Sequence, residues 1–262
     1  MLMRAIPVFG SRRSLRVLER NALVYRAQWL MLLSGFFEPL FYLLSIGIGL
    51  NHFVGPIPVA GRLISYGTFV APGMLATSAM NGAMIDSIFN PFFRLKISHS
   101  YDAILATPLE VTDVALGEVL WALVRATMYA ASFIVCMVVL GDAGGPWVIL
   151  CWPGAILTSF AFSCFGLAAC TYIRSWQDFD LVALVQLPLF LFSATFFPIT
   201  LYPRWMGAIV SFSPLYQAAT LLRGFSLGQF DWIMIMRAGY LFVIALIGLQ
   251  VASRRFRRIL AP

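Results

Sequence analysis

Residues 112–140 read TDVALGEVLWALVRATMYAASFIVCMVVL, and that stretch decides the fold. Only Asp113, Glu118 and Arg125 in it carry charge. A membrane helix needs roughly 20 mostly apolar residues to cross a hydrocarbon core about 30 Å thick. The stretch exceeds that need, so it reads as a transmembrane span. Five more stretches follow the same pattern: residues 30–52 (LMLLSGFFEPLFYLLSIGIGLNH), 66–91, 147–173, 181–198 and 232–252. The 147–173 stretch follows the turn signal Gly141-Asp142-Ala143-Gly144-Gly145-Pro146, and the 181–198 stretch follows the polar run Arg174 to Asp180.

The whole chain has the same character. Of 262 residues, 61% are hydrophobic and 11% charged, against roughly 25% charged in a soluble domain. Mean hydropathy is +0.87. A soluble chain of this size could not hide so much apolar surface in one core, and such a composition also excludes disorder. The expected fold is all-α and integral to a membrane: one domain over residues 1–262 with six transmembrane helices.

Charge sets the expected orientation. Net charge is +7, and ten of the 18 basic residues lie in two tails: Arg4, Arg12, Arg13, Arg16, Arg20 and Arg26, then Arg254, Arg255, Arg257 and Arg258. With both termini inside, the inner face collects those ten together with Arg94, Lys96 and Arg174, thirteen in all. Three remain outside: Arg62, Arg204 and Arg223. That bias predicts N-in and C-in. It leaves no folded soluble surface for nucleic acid. The four cysteines, Cys136, Cys151, Cys164 and Cys170, have no C-x-x-C spacing and read as small hydrophobes. His52 and His99 lie far apart, so no metal site is expected. The basic start does not read as a signal peptide.

Two segments stand apart. Residues 199–231 are apolar but cut by Pro203, Gly207, Pro214, Gly224 and Gly228. Two short helices broken at Ser213-Pro214, forming a re-entrant pair in the outer leaflet, fit better than one span. In residues 11–26, Leu15, Leu18, Ala22 and Tyr25 recur at helical spacing, with Arg12, Arg13, Arg16 and Arg20 on the remaining surface. That pattern predicts an amphipathic interfacial helix with its basic face toward lipid phosphates.

Four stretches carry a family resemblance: Gly73-Met74-Leu75-Ala76-Thr77-Ser78-Ala79-Met80, Ala115-Leu116-Gly117-Glu118-Val119-Leu120-Trp121, FSATFFPITLYP from Phe192 to Pro203, and FSPLYQAATLL from Phe212 to Leu222. In this order, and in register with six spans, they make the chain resemble the ABC-2 type (type V exporter) permeases. The nodulation-type export permeases that carry lipo-oligosaccharide are the nearest likeness. The resemblance implies a half-transporter of the bacterial cytoplasmic (inner) membrane. It would pair with a second permease, identical or paralogous, and dock two ATPase subunits that hold ATP and magnesium. It further implies a cytoplasmic coupling helix between the second and third spans. Its substrate would be a lipo-oligosaccharide, glycolipid, polysaccharide or drug.

The residues bear on those expectations. A nucleotide cradle needs a Gly-rich loop followed by Lys and Ser or Thr; Lys96 is the only lysine and no Gly-Lys pair exists. The chain itself therefore holds no P-loop, and no cofactor of its own is expected. No nucleophile stands beside a converging base, since Ser98, His99, Ser100 and Asp102 are merely adjacent; no catalytic residue is assigned. Residues 94–106, with Arg94, Lys96, His99, Tyr101 and Asp102, are the candidate coupling helix. Thr107-Pro108-Leu109-Glu110 then reads as a capping box opening the third span.

Intramembrane charges cost about 2.5–3.5 kcal/mol each on insertion scales, so they face protein or water. Glu38, Asp86, Glu118 and Arg125 are the four that matter. Glu118 and Arg125 lie two turns apart on one face, with Arg125 leaning toward Glu118. The four charges form either a lock between the first three spans or a polar wall of the substrate path; both readings stay open. Glu38-Pro39 predicts a kink. The aromatics from Phe190 to Tyr216 read as an interfacial belt, with Phe197 and Tyr216 as candidates for lining a path. An ion-driven secondary transporter and a membrane-embedded lipid-modifying enzyme are the alternatives. The first lacks an evident inverted repeat, and the second lacks clustered catalytic groups.

Overall fold

The computed structural model describes residues 12–26, 51–59, 61–98 and 100–260, with residues 41, 43–45 and 49 between them. For residues 12, 13, 25, 26, 51, 52, 102, 105 and 260 it describes the backbone alone. The expected first span lies largely outside these residues, and so do Glu38 and His99.

The chain is helical. Its helices are α1 (Arg12–Arg26), α2 (Asn51–Val54), α3 (Tyr66–Phe92), α4 (Ser100–Leu105), α5 (Val111–Val139), α6 (Cys151–Cys170), α7 (Asp178–Leu191), α8 (Arg204–Ser211), α9 (Pro214–Leu227) and α10 (Trp232–Leu260). A two-stranded hairpin precedes α3: β1 (Ile57–Val59) pairs antiparallel with β2 (Arg62–Ile64), Ile57 opposite Ile64. Among the described residues, three segments are long and apolar enough to cross a membrane, namely Val111–Val139, Pro146–Cys170 and Trp232–Ile259. α3 is 27 residues long but less apolar, because Thr68, Thr77, Ser78, Asn81, Asp86 and Ser87 dilute it.

Local chemistry starts and stops these elements. Ser65 caps α3, its hydroxyl accepting from the Thr68 N–H at 3.1 Å. The Asp178 carboxylate accepts from the N–H groups of Arg174 and Ser175, at 2.7 and 3.2 Å, and so folds the turn into α7. Pro214 occupies the first turn of α9, and Gly228 ends it with φ 66°, a left-handed position that suits glycine.

α6 is the central helix. α3, α5, α9 and α10 pack around it, and 61% of its apolar window is buried, against 28% for α10. Among membrane helices, close packing between small residues replaces the hydrophobic drive. Gly248 of α10 shows this: a Cβ there would lie 2.9 Å from the Cys164 carbonyl carbon of α6.

Several expectations are corrected. The capping box at the start of α5 is formed by Glu110 and Asp113, the Glu110 N–H donating to Asp113 at 3.1 Å. Thr107 does not cap α5, because its hydroxyl donates to the Ile104 carbonyl and closes α4 instead. The coupling segment is not one helix. A π-turn over Phe93–Ile97 extends α3, and α4 follows as a separate six-residue helix. α7 is shorter than the 181–198 expectation. It ends at Leu191 after Pro188, and the chain then turns irregular with Ala194 at φ 53°. α10 continues through Arg254 to Arg258 where a tail was expected.

α1 is helical over Arg12–Arg26, and one of its faces packs against the protein. Ser14, Val17 and Asn21 are buried, while Leu15 and Ala22 are exposed. The reason is a close approach to α5. A Cβ at Gly117 would lie 2.5 Å from the Val17 Cβ and 3.1 Å from the Ser14 carbonyl oxygen. Val17 and the Ser14 backbone sit against Gly117, which leaves Leu15 on the outward side of the helix.

Candidate functional site

Glu118 lies two turns into α5 and is 5% exposed. Three donors reach its carboxylate from three separate segments. The Arg94 guanidinium pairs with it from the π-turn. The Tyr101 hydroxyl donates from α4 at 3.2 Å. The Asn21 amide donates from α1 at 3.4 Å. Burial, and then the neighbouring Glu118 charge, hold the Tyr101 phenol well above its ordinary pKa, so it keeps the proton it donates. The other side of the Tyr101 ring meets Phe256 of α10 edge-on, with centroids 6.1 Å apart. One buried carboxylate thus gathers α1, the coupling segment and α5 at one end of the bundle.

The coupling candidates divide accordingly. Arg94 and Tyr101 turn inward to Glu118, whereas Lys96, Ile97 and Ser98 are exposed. Asp102 lies on α4, but its side chain is not among those described. An open depression beside this face is lined by Arg20, Ser98, Ser100, Ala103 and Ile104, so α1 and the coupling segment form one surface.

The expected Glu118–Arg125 approach does not occur. Seven residues separate their backbones by about 10.5 Å along the axis, and each has a nearer partner. Arg125 donates to Asp86 of α3 at 2.6 Å and to the Tyr129 hydroxyl at 2.9 Å. Ala79, Gly82, Ala83, Ala122 and Ala126 line the seam, which lets α3 come near enough for a short aspartate side chain to reach. The pair is 13% and 8% exposed. Replacing Arg125 by Gln would strand a buried carboxylate, an effect of about 3–5 kcal/mol. A marked fall in the thermal midpoint of the purified protein is the expected result, with Arg125→Lys nearer to wild type. Normal stability and assembly with lost export would place Arg125 in the substrate path instead.

Two polar features escaped sequence reasoning. Gln186 of α7 donates to Asn81 of α3 at 2.6 Å. Arg223 of α9, counted above as an outer surface charge, is 7% exposed. Its Nε donates to the Phe69 carbonyl at 2.9 Å, and its Nη2 reaches the carbonyls of Ala194 and Thr195 at 3.2 and 3.4 Å. The guanidinium carbon sits 3.9 Å from the Phe69 ring centroid, a cation–π geometry. Among the described residues no carboxylate pairs with it. The signal was present, since Leu215, Ala219 and Arg223 recur every four residues along the buried stripe of α9. Phe197 is exposed and Tyr216 half-buried, and no ring contact joins them among the described residues.

Apolar helices of membrane length, joined by charge pairs buried between them, define an integral membrane protein whose polar groups bind helix to helix. The comparisons with known proteins agree. The family model described as ABC-2 type transporter matches residues 14–227. Nodulation protein J of Rhizobium leguminosarum bv. trifolii is 32% identical over 222 residues, covering 84% of this chain and 83% of that protein. The namesake from bv. viciae is 28% identical over 251 residues, 95% of each chain. That of Rhizobium meliloti (strain 1021) is 28% identical over 250 residues, 94% of this chain and 93% of the other. The chain belongs to the ABC-2 type transporter family. It is a membrane transport component of the ABC exporter type, a class that partners with an ATPase subunit.

Proposed function

We propose that this chain is the permease half of an exporter that moves a lipid-linked or amphipathic substrate outward across the bacterial cytoplasmic membrane. Two separate ATPase subunits drive it, with ATP and magnesium held on them, and a second permease copy or paralogue completes the pathway. Six spans comprise residues 30–52, α3, α5, α6, α7 with the residues after it to 198, and α10. α8 and α9 form the re-entrant pair. Both termini face the cytoplasm. The positive-inside bias supports that orientation, and so does the geometry. Glu118, Arg94 and the C-terminal arginines gather at one end, through the contacts of Tyr101 with Phe256 and of Arg255 with Tyr172.

The observation that carries this reading is the convergence on Glu118. Because Arg94 and Tyr101 both end on a carboxylate of α5, a push on residues 94–105 is delivered to a spanning helix and to α1 together. Lys96 and the residues beside it are left as the docking face. Lys96→Glu combined with Asp102→Lys is expected to reduce ATPase co-purification about fivefold at low salt, the scale of roughly 1 kcal/mol for exposed charge contacts, and less at high salt, which screens them. Arg94→Gln should leave the ATPase bound and impair transport. Unchanged complex formation and unchanged transport in both variants would overturn the reading.

A further inference from the structure

A cavity of about 720 Å³ lies outside the coupling site. It falls within the ~300–1,000 Å³ typical of small-molecule sites. Phe165 and Ala168 of α6, Leu181 and Val185 of α7, and Ile247 and Val251 of α10 line it. The wall supplied by α7 is loose, since none of its residues is buried. One end of the groove is polar: Tyr172, Arg174 and Asp178 stand there. Arg255 of α10 stacks its guanidinium 4.0 Å from the Tyr172 ring centroid. Its Nε is buried and has no hydrogen-bond partner among the described residues. The Asp178 carboxylate is turned to the Arg174 and Ser175 N–H groups, and its single charge stands against the two of Arg174 and Arg255, so the mouth keeps a positive surplus.

We propose that this groove binds a membrane phospholipid with an anionic headgroup, its tail along α6, α7 and α10 and its phosphate at Arg174 and Arg255. An apolar slot ending in two cations matches one amphiphile: an acyl chain with a phosphate at its end. Basic pockets between helices at the cytoplasmic face take such headgroups; the assignment to the inner leaflet rests on the orientation proposed above. A second copy of this chain is the weaker occupant. In the same membrane it presents the same basic end, and like charges would meet at the mouth.

The test uses the full-length chain reconstituted in phosphatidylcholine nanodiscs with and without phosphatidylglycerol, then extracted and weighed by native mass spectrometry. Wild type is expected to retain phosphatidylglycerol preferentially. That preference should fall about fivefold in Arg174→Gln and about thirtyfold when Arg255→Gln is added. The Arg174→Lys/Arg255→Lys variant should keep it, which separates lost charge from lost fold. Leu181→Trp, filling the slot while keeping both arginines, should lower retention of both lipids. An unchanged preference in the double Gln variant overturns the proposal. So does displacement of the lipid by soluble glycerophosphate, which would make the mouth a free-phosphate site. Ready disulfide formation between copies carrying Val185→Cys and Ile247→Cys would also overturn it, by assigning the groove to a partner helix. Lipid retention is independent of sidedness. Labelling of Arg174→Cys from the outer face would therefore sink the orientation while leaving the binding result standing.

Discussion

Glu118→Gln is expected to destabilise the end of the bundle where α1, α4 and α5 meet by about 3–5 kcal/mol, the scale for stripping one partner from a buried ion pair. Tyr101 and Asn21 donate to different oxygens of Glu118, and the single carbonyl oxygen of the amide keeps one of those bonds, so they are the smaller part of the loss. The larger part is electrostatic: the Arg94 side chain is 11% exposed and would lose the charge of this carboxylate. Thermal unfolding of the purified permease measures the effect. The double variant Glu118→Gln/Arg94→Met should recover most of the stability, because it removes both members of the pair. Function should not recover with it. With the carboxylate gone, the coupling segment no longer pulls on α5, and the complex should hydrolyse more ATP for each substrate moved. A double variant restored in transport as well as in stability would show that the hub is structural only.

Arg223→Met is the second large effect. Three carbonyls, those of Phe69, Ala194 and Thr195, lose a shared donor. Leaving a buried polar group unsatisfied costs roughly 1–3 kcal/mol, so a total of about 3 kcal/mol or more is expected, less where water can enter. The segment after α7 should loosen, since Ala194 holds a positive φ of 53° only while its surroundings impose it. Thr195 is fully buried. A cysteine placed there should resist maleimide in the parent chain and react in the Arg223→Met background. Arg223→Lys should be intermediate, because one ammonium cannot span the positions of the guanidinium fork. Equal labelling in parent and variant would remove Arg223 as the clamp of this segment.

The coarse architecture was legible in the residues. Long apolar stretches announce membrane helices wherever they sit, and the proline and glycine breaks between residues 199 and 231 announced the short helices α8 and α9. The coupling candidates were legible as a group but not in role. Arg94 and Lys96 look equivalent in sequence, yet one is turned into the bundle and the other is exposed. The apolar stripe of α1 was legible, but the face that packs on α5 was not: Val17 and the Ser14 carbonyl lie against Gly117, and Leu15 and Ala22 stay exposed.

By itself the sequence determined that this chain lives in a membrane, roughly where its long apolar helices α5, α6 and α10 run, and that both of its tails are basic. Each of those follows from the composition of one continuous segment. Only the tertiary structure decided that Arg125 answers Asp86, that Arg94 answers Glu118, and that Arg223 is buried without a carboxylate partner among the described residues. A charge buried between helices takes whichever group a distant segment brings within reach, and sequence distance carries no measure of that reach.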